Sequence, residues 1–338
     1  MTLDTCAPGI SGGHAAASPI QGAPPELRCA DSARMRGEPL QASAVRYSRF
    51  LLLEAPGGWG SSALDGTAID SAVARWLAAE AAAADVNVLL IRRPGRQAPS
   101  RPGAASRPAA WALADASPEA ERVMWGSWSD PADLLDLDLT ADIPATAAET
   151  GPQRLVLVCT NGKRDQCCAI RGRPVAVAAA AATGWDTWEC SHLGGHRFAA
   201  TIMLLPTGDM FGWLDPASAV DVLRRYDAGQ IMLSHYRGRA GQPALEQAAL
   251  HATAVRLGDF SRGAFQASRS RPVPAPPGLA DQADLWEVTV TRRAAPGEEA
   301  SYRLLMAESK LAPSFLSCAD GIAKAETRYE VLSFSTAE

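Results

Sequence analysis

Two unbroken apolar runs constrain this chain more than anything else in it, because each has the length of a strand and both occur in the same setting. "FLLLEAP" begins at Phe50 and stops at Pro56, Gly57 and Gly58, while "RLVLVCT" covers 154–160 and passes into a loop. Apolar runs without alternation belong in strands that are covered on both faces. After the first run comes "IDSAVARWLAAEAAAA" (69–84), with Ile69, Ala72, Val73, Trp76, Ala79 and Ala83 on one helical stripe. The strand candidates "VNVLLI", "AAWALADA" and "RVMWGSW" follow, then a helix after Pro131. After the second run comes a helix predicted to start at Pro174 and stop at Gly184. The strands "WDTWECS", "ATIMLLP" and "MFGWLD" and the helix "PASAVDVLRRYDAG" complete that half.

Each half therefore reads strand, helix, strand, strand, strand, helix, with an offset of about 104 residues from Leu51 to Leu155. The order predicts an α/β chain of two thioredoxin-like domains, each a mixed sheet with flanking helices, plus a small C-terminal antiparallel β appendage. Residues 1–40, rich in Ala, Gly, Pro and Ser, read as a loosely ordered leader. The first domain spans 41–148 and the second 149–240. In 241–338 a helix, "PALEQAALHATAVRLG", precedes a linker with Pro272, Pro274, Pro276 and Pro277, and "LWEVTVT", "YRLLMA" and "RYEVLSF" give three strands.

Composition removes some function classes. A net charge of -5 and a pI near 5.6 speak against nucleic-acid partners, whose phosphates call for a basic surface. No run of about 18 apolar residues would span a membrane, and the N-terminus lacks the pattern of a signal peptide. Seven cysteines without disulfide-like spacing suit reduced thiols or metal ligation, so the expected location is cytoplasmic.

The chemistry gathers in the second half. Strand "RLVLVCT" delivers Cys159 to the loop "NGKRDQ", which runs into Cys167 and Cys168. Strand "WDTWECS" delivers His192 to the next loop, where Gly194 and Gly195 let the backbone turn so that His196 faces the same point. Neighbouring parallel strands end side by side, so one cysteine pair and one histidine pair converge at one sheet edge. Eight residues between Cys159 and Cys168 are too many for a zinc finger. A wide gap suits a 2Fe-2S rhomb, whose ligands spread over two irons and in which two histidines can replace two cysteines.

"CTNGKRDQCC" with "CSHLGGHRFAATIMLLPTGDMFGWLD" resembles the sucrase/ferredoxin-like family, thioredoxin-fold proteins whose cluster-bearing members hold 2Fe-2S with two cysteines and a His-x3-His pair. The likeness extends more loosely to "FLLLEAPGGWG" and to "YRGR" at 236–239, and so covers about residues 25–260. The family's Arg-Asp pair falls on Arg164 and Asp165. The resemblance implies Cys159, Cys168, His192 and His196 as iron ligands, with Cys167 the alternative to Cys168. Zinc in the same four side chains is the competing cofactor. The family label also carries an association with sucrose cleavage, which nothing in the sequence supports, since no carboxylate pair can be placed across a glycosidic bond.

Two imidazoles in place of two thiolates leave the oxidised cluster neutral instead of doubly negative, so its potential should exceed that of an all-cysteine cluster. A ligating imidazole keeps a second nitrogen for a proton, which would tie electron transfer to protonation. Lys163, Arg164, Arg171, Arg173 and Arg197 surround the ligands in sequence, giving either a basic rim for an acidic redox partner or solvated loop charges with an Arg164–Asp165 ion pair. Donor and acceptor proteins are unknown, and a carrier is favoured over a catalyst. Cys167 and Cys168 lack the spacing of a redox-active thiol pair, and no oxyanion-hole motif supports a Cys-His hydrolase. Cys29, Cys190 and Cys318 read as small apolar packing residues, Trp185, Trp188 and Trp213 as core, and His235 and His251 as surface or capping residues. The first half lacks a histidine pair and should be a cofactor-free twin.

Overall fold

The computed structural model describes residues 28–65, 69–95, 107–182, 184–274, 283–293, 299–319 and 322–337. In the first half, α1 (Cys29–Met35) precedes β1 (Arg49–Glu54), α2 (Ser71–Ala83), β2 (Val86–Arg92), β3 (Ala109–Asp115) and β4 (Arg122–Trp128). In the second, β5 (Leu155–Cys159), α3 (Gln166–Ala182), β6 (Asp186–Cys190), β7 (Ile202–Leu205), β8 (Asp209–Phe211), α4 (Pro216–Asp227) and β9 (Tyr236–Arg239) follow.

These strands form one nine-stranded sheet in the order β4-β3-β1-β2-β6-β5-β7-β8-β9. Its first eight strands mirror one another as two copies of four, β4-β3-β1-β2 and β6-β5-β7-β8, with β9 added at the far edge. β1 pairs parallel with β2 and antiparallel with β3, as β5 pairs parallel with β6 and antiparallel with β7. The copies meet edge to edge where β2 runs antiparallel to β6, with Ile91 opposite Cys190 and Arg92 opposite Glu189. Side chains alternate across a strand, so each apolar run feeds two cores. Phe50, Leu52, Leu89, Ile91, Leu155, Leu157 and Cys159 enter one core shared by both halves. Leu51, Leu53 and Leu90 pack under α2, and Val156, Val158, Ile202 and Leu204 under α3 and α4.

The C-terminal part places α5 (Ala244–Leu257) on a sheet of β10 (Phe265–Val273), β11 (Asp284–Arg292), β12 (Ala300–Lys310) and, after the short pair β13 (Ser314–Phe315) and β14 (Ala323–Lys324), β15 (Thr327–Ala337). The α/β class and the antiparallel appendage are as expected from sequence.

Four local readings are corrected. Helix α3 starts at Gln166, eight residues before Pro174, which lies inside it. Asp165 starts it by accepting the Cys167 amide on Oδ1 at 2.8 Å, a cap that overrides the usual preference for proline in the first turn. The helix after Pro131 is a six-residue 3-10 turn, Pro131–Asp136. The appendage has a fourth strand, β10, which contains Pro272; as an edge strand it tolerates a residue without an amide hydrogen. Pro276 and Pro277 lie outside the described residues. Finally, residues 28–40 of the supposed leader form α1 and a buried turn, with Cys29 and Ala30 packed on Cys167 and Ala199; residues 1–27 lie outside the described part.

Helix α3 approaches β5 so closely that a methyl group on Gly172 would overlap the Cys159 carbonyl oxygen. Gly172→Ala must push the helix off the strand, at a cost of about 3 kcal/mol. A urea midpoint equal to that of the wild type would refute this packing.

Candidate metal centre

The parallel pairing of β5 and β6 runs to the rung Cys159–Cys190, and beyond it the Thr160 amide still bonds the Cys190 carbonyl at 3.1 Å. The chain then leaves β5 for the 160–165 loop and α3, and leaves β6 for the turn that holds His192 and His196. Cys167 and Cys168 therefore stand in the first turn of a helix. Successive helical residues point about 100° apart, so the two thiols face different neighbours.

Cys168 faces the histidines, its Sγ lying 3.4 Å from His196 Nδ1. Cys159 Sγ lies 3.9 Å from the Ser191 carbonyl oxygen, to which it donates, with Cys168, His192 and the Leu193 amide as its other polar neighbours. The two imidazoles stack with centroids 4.4 Å apart. Cys159, Cys168 and His196 are buried and His192 is half-buried. His192 Nδ1 is buried with no hydrogen-bond partner among the described residues. The structure thus brings together all four side chains singled out in the sequence, and Cys167 is not among them.

The hydrogen bond from Cys168, helped by His192 and Leu193, holds the Cys159 thiol well below its usual range in spite of burial. The contact with Cys159, and burial, push the Cys168 thiol well above it. Burial lowers His196 to about 4, and the neighbouring His192 acts in the same direction. A neutral imidazole at neutral pH is a form that metal ions accept.

The turn depends on Gly194 and Gly195, at φ of +71° and +70°. A methyl on Gly195 would also sit 2.6 Å from Arg237 Nη2. Arg237, from β9, is fully buried behind the turn. Its Nε donates to Ser43 Oγ at 3.0 Å, Nη1 to the Gly194 carbonyl at 3.1 Å, and Nη2 to the Ser43 carbonyl. Among the described residues no carboxylate pairs with it. Burial lowers it to about 9, with Arg197 adding to the effect, so it stays charged at neutral pH. In the sequence Arg237 was visible only as part of "YRGR". An arginine flanked by strand residues gives no hint that its guanidinium props a turn 43 residues away.

Cys167 belongs to a second group. Its Sγ lies 3.5 Å from that of Cys29 and 3.6 Å from that of Cys318. With Asp165 they offer four ligand atoms, all within 4.8 Å of one another, an arrangement able to hold a metal ion. Cys29 packs in a small apolar cluster and Cys190 in the shared core, as read from the sequence, and Cys29 stands in this group as well; only Cys318, which is exposed, departs from that reading. Sequence distance concealed the group, because its thiols come from the two ends of the chain and the middle.

The basic rim is also revised. Arg197 is buried, its Nε 2.8 Å from Glu38 and its Nη2 3.0 Å from Glu326, so it fastens the residues before β1 and those after β14 over the histidine turn. Arg171 pairs with Asp31. Asp165 turns to the thiols and not to Arg164, and only Lys163 and Arg173 are exposed. Among the described residues, no helix is long and apolar enough to cross a membrane.

The pattern of one known family, described as sucrase/ferredoxin-like, matches residues 40–238. No curated protein and no solved structure matches the chain.

Two expectations follow from the turn. His196 is depressed from 6.5 to about 4, so in the metal-free chain the unfolded state takes up the proton first as the pH falls. Stability should be constant above about pH 6.5 and fall by about 3 kcal/mol as the pH drops towards 4. His251, also lowered by burial, keeps part of that slope, and His196→Gln should remove the rest in urea titrations at several pH values. Gly195→Ala should leave the far-ultraviolet circular dichroism intact while at least halving the metal retained at the histidine site.

Proposed function

Since the chain belongs to the sucrase/ferredoxin-like family, we propose that it is an electron-transfer protein holding one 2Fe-2S cluster through Cys159, Cys168, His192 and His196. The observation that carries this reading is the meeting of two buried thiols and two stacked imidazoles from four separate points of the chain at one sheet edge. The unpartnered, buried His192 Nδ1 fits a ligand atom better than a packing residue, since an orphaned ring nitrogen is costly. When bound, the cluster supplies a one-electron couple.

The residues set its properties. The two imidazoles bring no charge, so the ligand shell is less negative than four thiolates and the potential is higher. Arg237 adds a buried positive charge that acts on both Cys159 and Cys168, and a fixed cation favours the state with one more electron. Each ligating histidine can hold or release a proton at its other ring nitrogen, which links the potential to pH. The buried walls, including Leu193 and Phe198, exclude water and strengthen both effects. Donor and acceptor would meet the protein near the exposed Lys163 of the 160–165 loop and Arg173 of α3.

Protein purified without added metal should be coloured, with about two irons and two acid-labile sulfides per chain. A colourless protein carrying zinc that is lost in His196→Ala would overturn the proposal in favour of a structural zinc module. The midpoint potential should fall as the pH rises between about 6 and 9. His192→Cys or His196→Cys should lower the potential and flatten that dependence, and Arg237→Gln should lower it without removing iron. Cys168→Ser should lose the cluster while Cys167→Ser keeps it; the reverse pattern would transfer the ligand role to Cys167.

A further inference from the structure

The second thiol group has the composition and shape of a closed metal site. We propose that Cys29, Cys167, Cys318 and Asp165 bind one zinc ion, which clamps both ends of the described chain to the helix that carries Cys168.

The group is assembled from three segments distant in sequence. Cys29 opens α1, Asp165 and Cys167 start α3, and Cys318 lies in the loop between β13 and β14. All four ligand atoms lie within 4.8 Å of one another, and three of the six separations can be set against a tetrahedron. Zinc–sulfur bonds of about 2.3 Å and zinc–oxygen bonds of about 2.0 Å place sulfurs about 3.8 Å apart, and sulfur and oxygen about 3.5 Å apart. The sulfur separations of 3.5 and 3.6 Å match this, as do the 3.7 and 3.6 Å from Cys29 Sγ to Asp165 Oδ1 and Oδ2.

Two further observations point to a cation. Asp165 is 2% exposed, and among the described residues no Arg or Lys pairs with it, so its charge is buried against three sulfurs without a counterion. The surroundings also donate to the sulfurs: the Cys29 amide lies 3.3 Å from Cys318 Sγ, and the Ala30 amide bonds Cys167. Such donors suit thiolates, which a bound divalent cation would generate by displacing the thiol protons into water. Asp165 is itself oriented by the Cys167 and Cys318 amides, both at 2.8 Å, and by Ser317 Oγ at 2.9 Å, the supporting shell that a metal ligand needs. Three sulfurs and one oxygen in a closed tetrahedral set favour zinc over magnesium or calcium. Cys318 is exposed and gives the ion access.

A zinc here would close chain loops of 138 and 151 residues, holding α1 and the β13–β14 segment over the histidine turn, where Arg197 pairs with Glu38 and Glu326. It would thereby shield the site next door without touching its ligands.

The test is metal analysis of the full-length protein as purified from zinc-containing medium, beside single variants. One zinc per chain is expected, absent in Cys318→Ser and in Cys29→Ser and retained in His196→Ala. Iron should behave in the opposite way, unchanged in the first two and lost in the third. Since Cys29 is buried and its variant can fail by misfolding, the exposed Cys318 is the decisive position. A chelator that removes the zinc from the wild type should expose three additional thiols to an aromatic disulfide reagent and speed proteolytic cleavage after residue 310. No zinc in the wild type, zinc that persists in Cys318→Ser, iron in place of zinc, or a mass two hydrogens short from a Cys29–Cys167 disulfide would each overturn the assignment. If the histidine site itself held zinc, the wild type would carry two ions, of which Cys318→Ser removes one and His196→Ala the other, so a zinc content that does not fall in Cys318→Ser overturns this site whatever the histidine site holds.

Discussion

The antiparallel seam between β2 and β6 is the contact on which the remainder of the molecule depends. Each copy alone would end in an open, apolar edge strand, a surface that invites aggregation. Joining edge to edge satisfies both strands at once and merges their inner faces into one core. The seam is closed by a buried ion pair: Arg92 Nη2 lies 2.7 Å from Glu189, which also accepts from Thr160 Oγ1 at 2.9 Å. Arg92 stacks on Trp59 at 4.2 Å. Removing either charge would leave the other buried, so the pair acts more strongly as a specification of register than as a source of net stability.

This seam also determines where the chemistry lies. The rung Ile91–Cys190 is one strand away from Cys159, and the Ser191 amide bonds the Leu90 carbonyl just before the histidine turn begins. The first half therefore supports the turn from one side. It also supports the cysteine loop, where Asn161 Nδ2 donates to the Gly60 carbonyl at 2.8 Å. From the far side Arg237 holds the turn through Gly194, and Arg197 secures the covering segments. The turn is thus held from both sides by hydrogen bonds and ion pairs, the support that fixes the positions of its side chains.

The sequence disclosed this arrangement unevenly, for physical reasons. Apolar runs such as "FLLL" and "LVLV" read clearly because burial on both faces leaves no other use for them. The convergence of Cys159, Cys168, His192 and His196 was also legible, since parallel strands align their ends. The choice between Cys167 and Cys168 was not. It rests on the phase of a helix whose start is set by Asp165 and not by the more conspicuous Pro174. Interactions between distant segments left still less trace. Nothing in "RCAD" or "LSCA" indicates that Cys29 and Cys318 meet at Cys167, and nothing in "GGHRFA" tells that Arg197 is paired inside instead of exposed.

The two copies differ in what they bury at corresponding places. At the sheet edge the second half buries two thiols and His196 beside the half-buried His192, with Cys159, Cys168 and Leu193 packed into the shared core. In the first half the loop after β1 carries Trp59, which fills the core under α2 and donates Nε1 to the Ala55 carbonyl at 2.9 Å. That half is free to be a solid wall. A duplicated fold joined at its edges can thus place a glycine-built turn carrying two histidines beside a well-packed copy of itself, with the first half supplying packed apolar core where the second carries polar side chains.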